Sequence, residues 1–214
     1  MMRCHICDEP TMMLMDQKKQ MLYHHCKACE YIFKHPSVFQ TIEDQKARYD
    51  LHENEEESEG YRAYFQRFLD FTLPSVQNPK TALDFGCGES MLLASMLGEK
   101  GIACDSYDPI YHPNGLDDTK KYDLIVSTEV FEHLHQPKEV FESLLDRLNV
   151  GGYLAIQTEF HPKEMSAFMN WYYTQDPTHV VFFTVKTFEV LSSLYKCRFV
   201  DDNGKNMVVI KKSL

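Results

Sequence analysis

The chain has 214 residues, a formal net charge of −10, 43% hydrophobic and 25% charged residues, enough for one sizeable core with a small appendage. The acidic balance repels phosphate backbones and argues against non-specific nucleic-acid binding. No apolar run reaches the roughly 20 residues that span a bilayer, and the opening "MMRCHICDEP" lacks the apolar core of a secretory signal, so the expectation is a cytoplasmic protein with no membrane partner.

Cys4, Cys7, Cys26 and Cys29 come first and follow C-x2-C-x18-C-x2-C, the spacing of two knuckles offering four thiolates to one tetrahedral Zn2+. A segment this short has no core of its own, and zinc binding worth on the order of 10–16 kcal/mol replaces it. Four thiolates close the coordination shell, so the expected zinc is structural. Residues 1–36 are read as the zinc-binding segment.

Residues 37–78 are read as a helical linker or lid. Thr41 with Asp44 makes a capping pair, and Tyr61, Tyr64, Phe65, Phe68, Leu69 and Thr72 recur at helical spacing. "HENEEESEG" between them reads as a solvated acidic loop.

Residues 79–214 alternate strand and helix. "TALDFG", "IACDSYD", "YDLIVSTE" and "YLAIQTEF" are strands, while "SMLLASMLGEKG" and "PKEVFESLLDRLN" are helices. "TVKTFEVLSSLYK" is a last helix with Thr184 as its N-cap, and Asn203-Gly204 marks a hairpin between "CRFV" and "MVVIKK". The fold class is α/β: a doubly wound, mostly parallel sheet with a C-terminal antiparallel hairpin and a small N-terminal zinc-knuckle segment.

The turn in "LDFGCGES" holds Asp84, Gly86, Cys87 and Gly88. A pyrophosphate fingerprint needs a third glycine where Ser90 stands. The carboxylate of Asp84 would oppose a phosphate and favour a cation.

These residues resemble the first motif of class I S-adenosylmethionine-dependent methyltransferases, on Asp84, Gly86, Gly88 and Ser90. The resemblance implies S-adenosylmethionine as cofactor, with Asp108 of "SYDP" on its ribose; Asp105 competes for that role. "LNVGGYL" is similar to the family's glycine turn. The stretch "PIYHPNGLDDTKK" is too short for a further helix and strand, which leaves Asp117 or Asp118 as the guess for adenine. Together with "CHIC…CKAC", "ARYDLHEN", "EVFEHL" and "DPTHVVFFT", the chain resembles a bacterial group of methyltransferase-domain proteins with no assigned substrate.

"STEVFEHLH" places Glu129, Glu132 and His133 just past a strand, and His179 precedes the last helix. This set is similar to the metal site of ubiquinone-pathway O-methyltransferases and small-RNA terminal 2′-O-methyltransferases, which implies a divalent ion such as Mg2+ or Mn2+ on Glu129, Glu132, His133 and His179. The same pattern occurs in methyltransferases without a catalytic metal; there His133 or His179 serves as general base, with Glu132 beside them. The cofactor-binding set is Asp84, Gly86, Cys87, Gly88, Asp108 and Glu129. The aromatic stretch with Trp171, Tyr172 and Tyr173 reads as core or interface, and its place after a strand end also makes these three candidate acceptor contacts; Tyr49 and His52 are a lid by analogy, and His161 is expected in a surface loop. The expected reaction is O-methylation of a small molecule. RNA is the alternative acceptor, and a non-catalytic zinc protein on a relic fold is the alternative from another class. The sequence carries no signal of oligomeric state.

Overall fold

A computed structural model of the protein describes residues 2–39, 41, 59–117 and 119–213. Two sheets organise them. Six strands lie in the order β5-β4-β6-β7-β10-β9: β4 (Thr81–Phe85), β5 (Ala103–Tyr107), β6 (Tyr122–Thr128), β7 (Leu148–Gln157), β9 (Arg198–Asp202) and β10 (Met207–Lys211). β5, β4, β6 and β7 run parallel, and β10 then pairs antiparallel with both β7 and β9. The chain turns one way from β4 to β5 and the other way to β6, so the switch point lies between β4 and β6, where open α/β sheets bind ligands. β5 is the edge strand, consistent with the short connection after Asp108.

Strand alternation divides the core in two. Ala82, Leu124, Val126 and Ala155 face one side with Phe65, Phe68 and Leu69 of helix α1 (Glu59–Thr72) and with Leu93 and Leu97 of α2 (Leu92–Glu99). Leu83, Ile125, Leu154 and Ile156 face the other, against Phe141 and Leu144 of α3 (Pro137–Arg147) and Phe188 and Leu191 of α5 (Val185–Leu194). Each Val, Leu, Ile or Phe among them contributes about 1.5–3 kcal/mol on full burial. α3 starts on a proline at its first position, where the fixed φ suits a helix and the missing N–H costs nothing. Thr184 and Thr187 form a capping box at the head of α5. A short helix α4 (Met165–Met169) lies between β7 and α5.

The second sheet is only partly legible in the sequence. Three N-terminal strands, β1 (Met12–Asp16), β2 (Met21–His25) and β3 (Ile32–Lys34), form an antiparallel sheet whose fourth member is β8 (Val181–Phe182), from just before α5. Cys4, Cys26, Cys29, Tyr31 and Phe33 accordingly share a core with Phe131, Phe183 and Phe188. Within residues 37–78, the described helical parts are a 3-10 turn at Pro36–Val38, α1 and a 3-10 turn at Leu73–Ser75. Asp44 of the expected capping pair, Tyr49, His52 and most of the acidic loop lie outside the described residues. No helix among the described residues is long and apolar enough to cross a membrane.

Candidate active site

β4 ends in the glycine turn. Gly86 has φ +79° and sits where a Cβ would meet Val130 Cγ2 at 2.2 Å, so a side chain is excluded on both counts. The turn is tied to β5, since Gly86 N and Cys87 N both donate to the Tyr107 carbonyl, at 2.7 and 3.1 Å. Asp108 closes the arrangement: Oδ2 accepts from Gly88 N at 3.1 Å, and Oδ1 accepts from Ile110 N at 2.8 Å and Tyr111 N at 3.0 Å. A carboxylate offers about four acceptor positions, which leaves room for one further donor.

These residues line a cavity of about 300 Å³ at the switch point, together with Asp84, Glu129, Val130 and His133, under Tyr61 and Phe65 of α1. Asp84 is 2% exposed; burial, helped by the Asp108 charge, pushes its carboxyl up to about 7. Asp105 faces elsewhere, accepting from Lys120 Nζ at 2.7 Å and Tyr122 OH at 2.8 Å. Asp117 is also outside the cavity lining and accepts from Thr119; Asp118 lies outside the described residues.

β6 delivers the second half of the site. Glu129 has φ +53°, a conformation a non-glycine residue rarely adopts and one that marks functional positions when surrounding contacts impose it. Those contacts are Tyr64 OH donating to Oε1 at 2.8 Å, Tyr173 OH to Oε2 at 2.9 Å, and the backbone N–H to the Gln157 carbonyl at 2.9 Å. The 3-10 turn Phe131–His133 then buries Glu132 completely. Its carboxyl accepts from Thr158 Oγ1 at 2.7 Å and lies 2.6 Å from the same Tyr173 hydroxyl. One hydroxyl hydrogen lies between two carboxyl groups, and both are shifted toward the protonated form. Burial followed by Glu132 pushes Glu129 up to about 8, and burial raises Glu132.

His133 and His179 meet across this turn with ring centroids 4.8 Å apart. Nδ1 of His133 lies 3.1 Å from the Thr178 carbonyl and Nδ1 of His179 lies 2.9 Å from the Tyr173 carbonyl. A carbonyl beside Nδ1 fixes the proton there and makes Nε2 the basic nitrogen. Burial lowers both imidazoles below their ordinary range, His179 to about 4 with help from His133. One ligand atom each from Glu132, His133 and His179 lies within 4.8 Å of the others. Glu129 is not one of this trio but is joined to Glu132 through the Tyr173 hydroxyl, and it lines the cavity, as His133 does; Glu132 and His179 are not among the lining residues.

At the N-terminus the four cysteine sulfurs also lie within 4.8 Å of one another, with Cys4–Cys29 and Cys7–Cys26 at 3.5 Å. A tetrahedron of about 2.3 Å Zn–S bonds has edges of about 3.8 Å, so the set fits a zinc ion. The knuckles repeat one geometry: Cys4 N donates to the Glu9 carbonyl and Cys26 N to the Tyr31 carbonyl, and Asp8 and Glu30 have φ of 61° and 63°.

One sequence reading changes. His161 is not a surface residue: it is 5% exposed, with Nε2 2.6 Å from the Glu30 carbonyl of the second knuckle. Tyr172 is 64% exposed, and Tyr173 is buried as the bridge between Glu129 and Glu132. Tyr64 and Thr158 join the site without having been expected there; Tyr64 shares the helical spacing of core residues, and nothing local distinguishes it.

Residues 55–195 match the family described as methyltransferase domain. No curated protein matches the chain. Among solved structures, a SAM-dependent methyltransferase from Archaeoglobus fulgidus is similar at 17% identity and a TM-score of 0.52, over 71% of this chain and 94% of that one. The N-methyltransferase NodS from Bradyrhizobium japonicum WM9 is 13% identical over 77% of this chain and 100% of its own, with a TM-score of 0.45. An O-methyltransferase family protein from Burkholderia thailandensis is 13% identical over 79% of this chain and 63% of that one, with a TM-score of 0.49. Such likeness is one of fold alone, and of the three only the first is close enough to support the fold.

Proposed function

The chain belongs to the methyltransferase-domain family, and from that premise we propose that it methylates a hydroxyl oxygen of a small-molecule acceptor. As a member of the family it is an S-adenosylmethionine-dependent methyltransferase; the acceptor and the residue roles are our reading. The observation that carries it is the cavity itself, in which Asp84, Asp108, Glu129 and His133 face one space of about 300 Å³ at the switch point. Carboxyl groups there suit a ligand that carries an ammonium and a sulfonium.

When bound, the sulfonium supplies an activated methyl group, which moves to the acceptor as an O–C bond forms and the S–C bond breaks. The protein then has to orient the acceptor and take its proton. Asp108 offers its remaining acceptor position to a ribose hydroxyl, while the bare backbone of Gly86 and Gly88 permits close approach. Asp84, ionised by the cation it faces, balances the cationic end, and Glu129, held by Tyr64 and Tyr173, lines the same space. His133 lines the cavity and is held neutral by burial with Nδ1 toward a carbonyl, so Nε2, 3.9 Å from Glu132 Oε1, is its basic nitrogen and the group we assign to accept the hydroxyl proton. In this reading residues 1–36 carry a structural Zn2+ on Cys4, Cys7, Cys26 and Cys29, residues 37–78 close over the donor through Tyr61 and Phe65, and residues 79–214 bind it. A transfer assay with labelled methyl donor, run against panels of hydroxylated small molecules and RNA oligonucleotides, tests the acceptor class. Label in the small-molecule panel is expected, and label confined to RNA would contradict it.

A second reading is favoured by the trio of Glu132, His133 and His179. One carboxylate and two imidazoles suit a transition ion such as Mn2+ or Zn2+ better than Mg2+, which prefers oxygen. Bound there, such an ion would polarise the acceptor hydroxyl, and His133 would be its ligand and not the base. Metal analysis separates the readings: two ions per chain, falling to one in Glu132→Gln, supports the second, and one ion in both proteins excludes it.

A further inference from the structure

The segment that carries Tyr173 and His179 rests on the N-terminal sheet. Lys19 Nζ donates to the Met169 carbonyl and to Thr174 Oγ1, each at 2.7 Å. Lys34 sits at the end of β3, 1% exposed, with Nζ donating to the Asp176 carbonyl at 2.8 Å and its backbone N–H to the Val180 carbonyl at 2.8 Å. Between these anchors, Tyr23 and Ile32 pack with Phe168, Tyr173 and Phe182 in one buried cluster. A buried ammonium is an expensive way to fill space, because an apolar side chain of similar volume avoids the desolvation cost; burial here draws the lysine down to about 8. The carbonyl it holds lies three residues before His179.

β3 in turn follows the second knuckle directly: Cys29 and Ile32 are separated by two residues, and the Cys29 carbonyl accepts from Thr187 Oγ1 at 2.9 Å. A strand attached to so small a segment depends on the metal that gives the segment its stability. We propose that the four-cysteine segment is a positioning element for the methyl-transfer site, in which a zinc-ordered β3 and its Lys34 hold residues 169–180 so that Tyr173 and His179 meet Glu129, Glu132 and His133. The inference rests on the site reading above. It makes zinc occupancy a condition of acceptor-side geometry, while the glycine-turn half of the donor cavity, with Asp84, Gly86, Gly88 and Asp108 at the ends of β4 and β5, is built without the segment.

Trp171 is the chain's single tryptophan and lies in this segment, 4.9 Å from the Tyr173 ring, so its fluorescence reports the segment alone. The test removes zinc from the full chain with a chelator, following Trp171 emission, amide hydrogen exchange and S-adenosylhomocysteine affinity. A red-shifted Trp171 with faster exchange confined to residues 1–39 and 169–182, at an affinity changed less than about threefold, is the expected result. Unchanged Trp171 emission at full zinc loss overturns the proposal, as does exchange rising across the whole chain together with loss of affinity. Lys34→Met supplies the second arm, with zinc retained: a shift at Trp171 is expected, and none removes Lys34 from the positioning role. Failure of the site reading would show separately, as zinc-replete protein that binds no S-adenosylhomocysteine before any metal is removed.

Discussion

Asp84 is the residue on which the cofactor reading turns, and its burial gives it a pH signature. Its carboxyl is pushed up to about 7, above the unfolded value of about 3.9, so the folded state favours the protonated form. Its contribution to stability is therefore full below about pH 4 and is lost as pH rises toward 7. A cationic ligand acts in the opposite sense, since it selects the ionised form. Affinity for S-adenosylmethionine is expected to rise about tenfold between pH 6 and 8, and Asp84→Asn to flatten that profile while weakening binding at pH 8 by about tenfold or more; calorimetry at several pH values measures both. Tyr173→Phe belongs to the same scale. It removes the hydroxyl shared by Glu129 and Glu132, and a buried carboxyl that loses its partner costs about 1–3 kcal/mol. A lowered melting temperature is expected, and an unchanged one would mean that water replaces the hydroxyl. The contiguous parts of the site are legible in the sequence, because "LDFGCG", "YDP" and "EVFEH" each fall at a strand end. Tyr64, Thr158 and the bridging role of Tyr173 are not, because they reach the carboxyls from elements far away in the chain.

At the level of elements, the strands and helices of the six-stranded sheet follow from alternating and helical apolar spacing, and Gly101 and Asn203-Gly204 punctuate them, whereas Gly151 lies inside β7. β8 has no sequence signal of its own because it has only two residues and is defined by its partner β3. His161 reads as a loop residue for the same reason, since the second knuckle that covers it is distant in the chain. The hairpin offers a clean check that fold and site separate. Gly204 has φ +67° and open space where a Cβ would stand, so Gly204→Ala meets only the backbone penalty of about 1–2 kcal/mol. Denaturant unfolding should register that loss while S-adenosylhomocysteine affinity stays unchanged; a fall in affinity would tie β9 and β10 to the cavity.

For the whole molecule, the sequence reading of a zinc segment beside an α/β enzyme describes the parts but not their relation. The four-stranded sheet joins the N-terminal strands to Val181–Phe182, just before α5, and Cys26, Cys29 and Phe33 lie in one core with Phe183 and Phe188. Pairing between β3 and β8 spans about 150 residues and has no local signal, which is why spacing alone presents the knuckles as an appendage. The expected stoichiometry is one firmly held zinc per chain, lost in Cys29→Ser along with the stability of the N-terminal sheet. Elemental analysis and thermal unfolding check this together, and a zinc-free protein with an unchanged melting temperature would contradict it. The central claim is that the cavity between β4 and β6 holds the methyl donor. Calorimetric titration of the zinc-replete protein with S-adenosylhomocysteine tests it most directly. One-to-one binding at about micromolar affinity, near −8 kcal/mol, is the predicted result, and folded protein that takes up no ligand would contradict it.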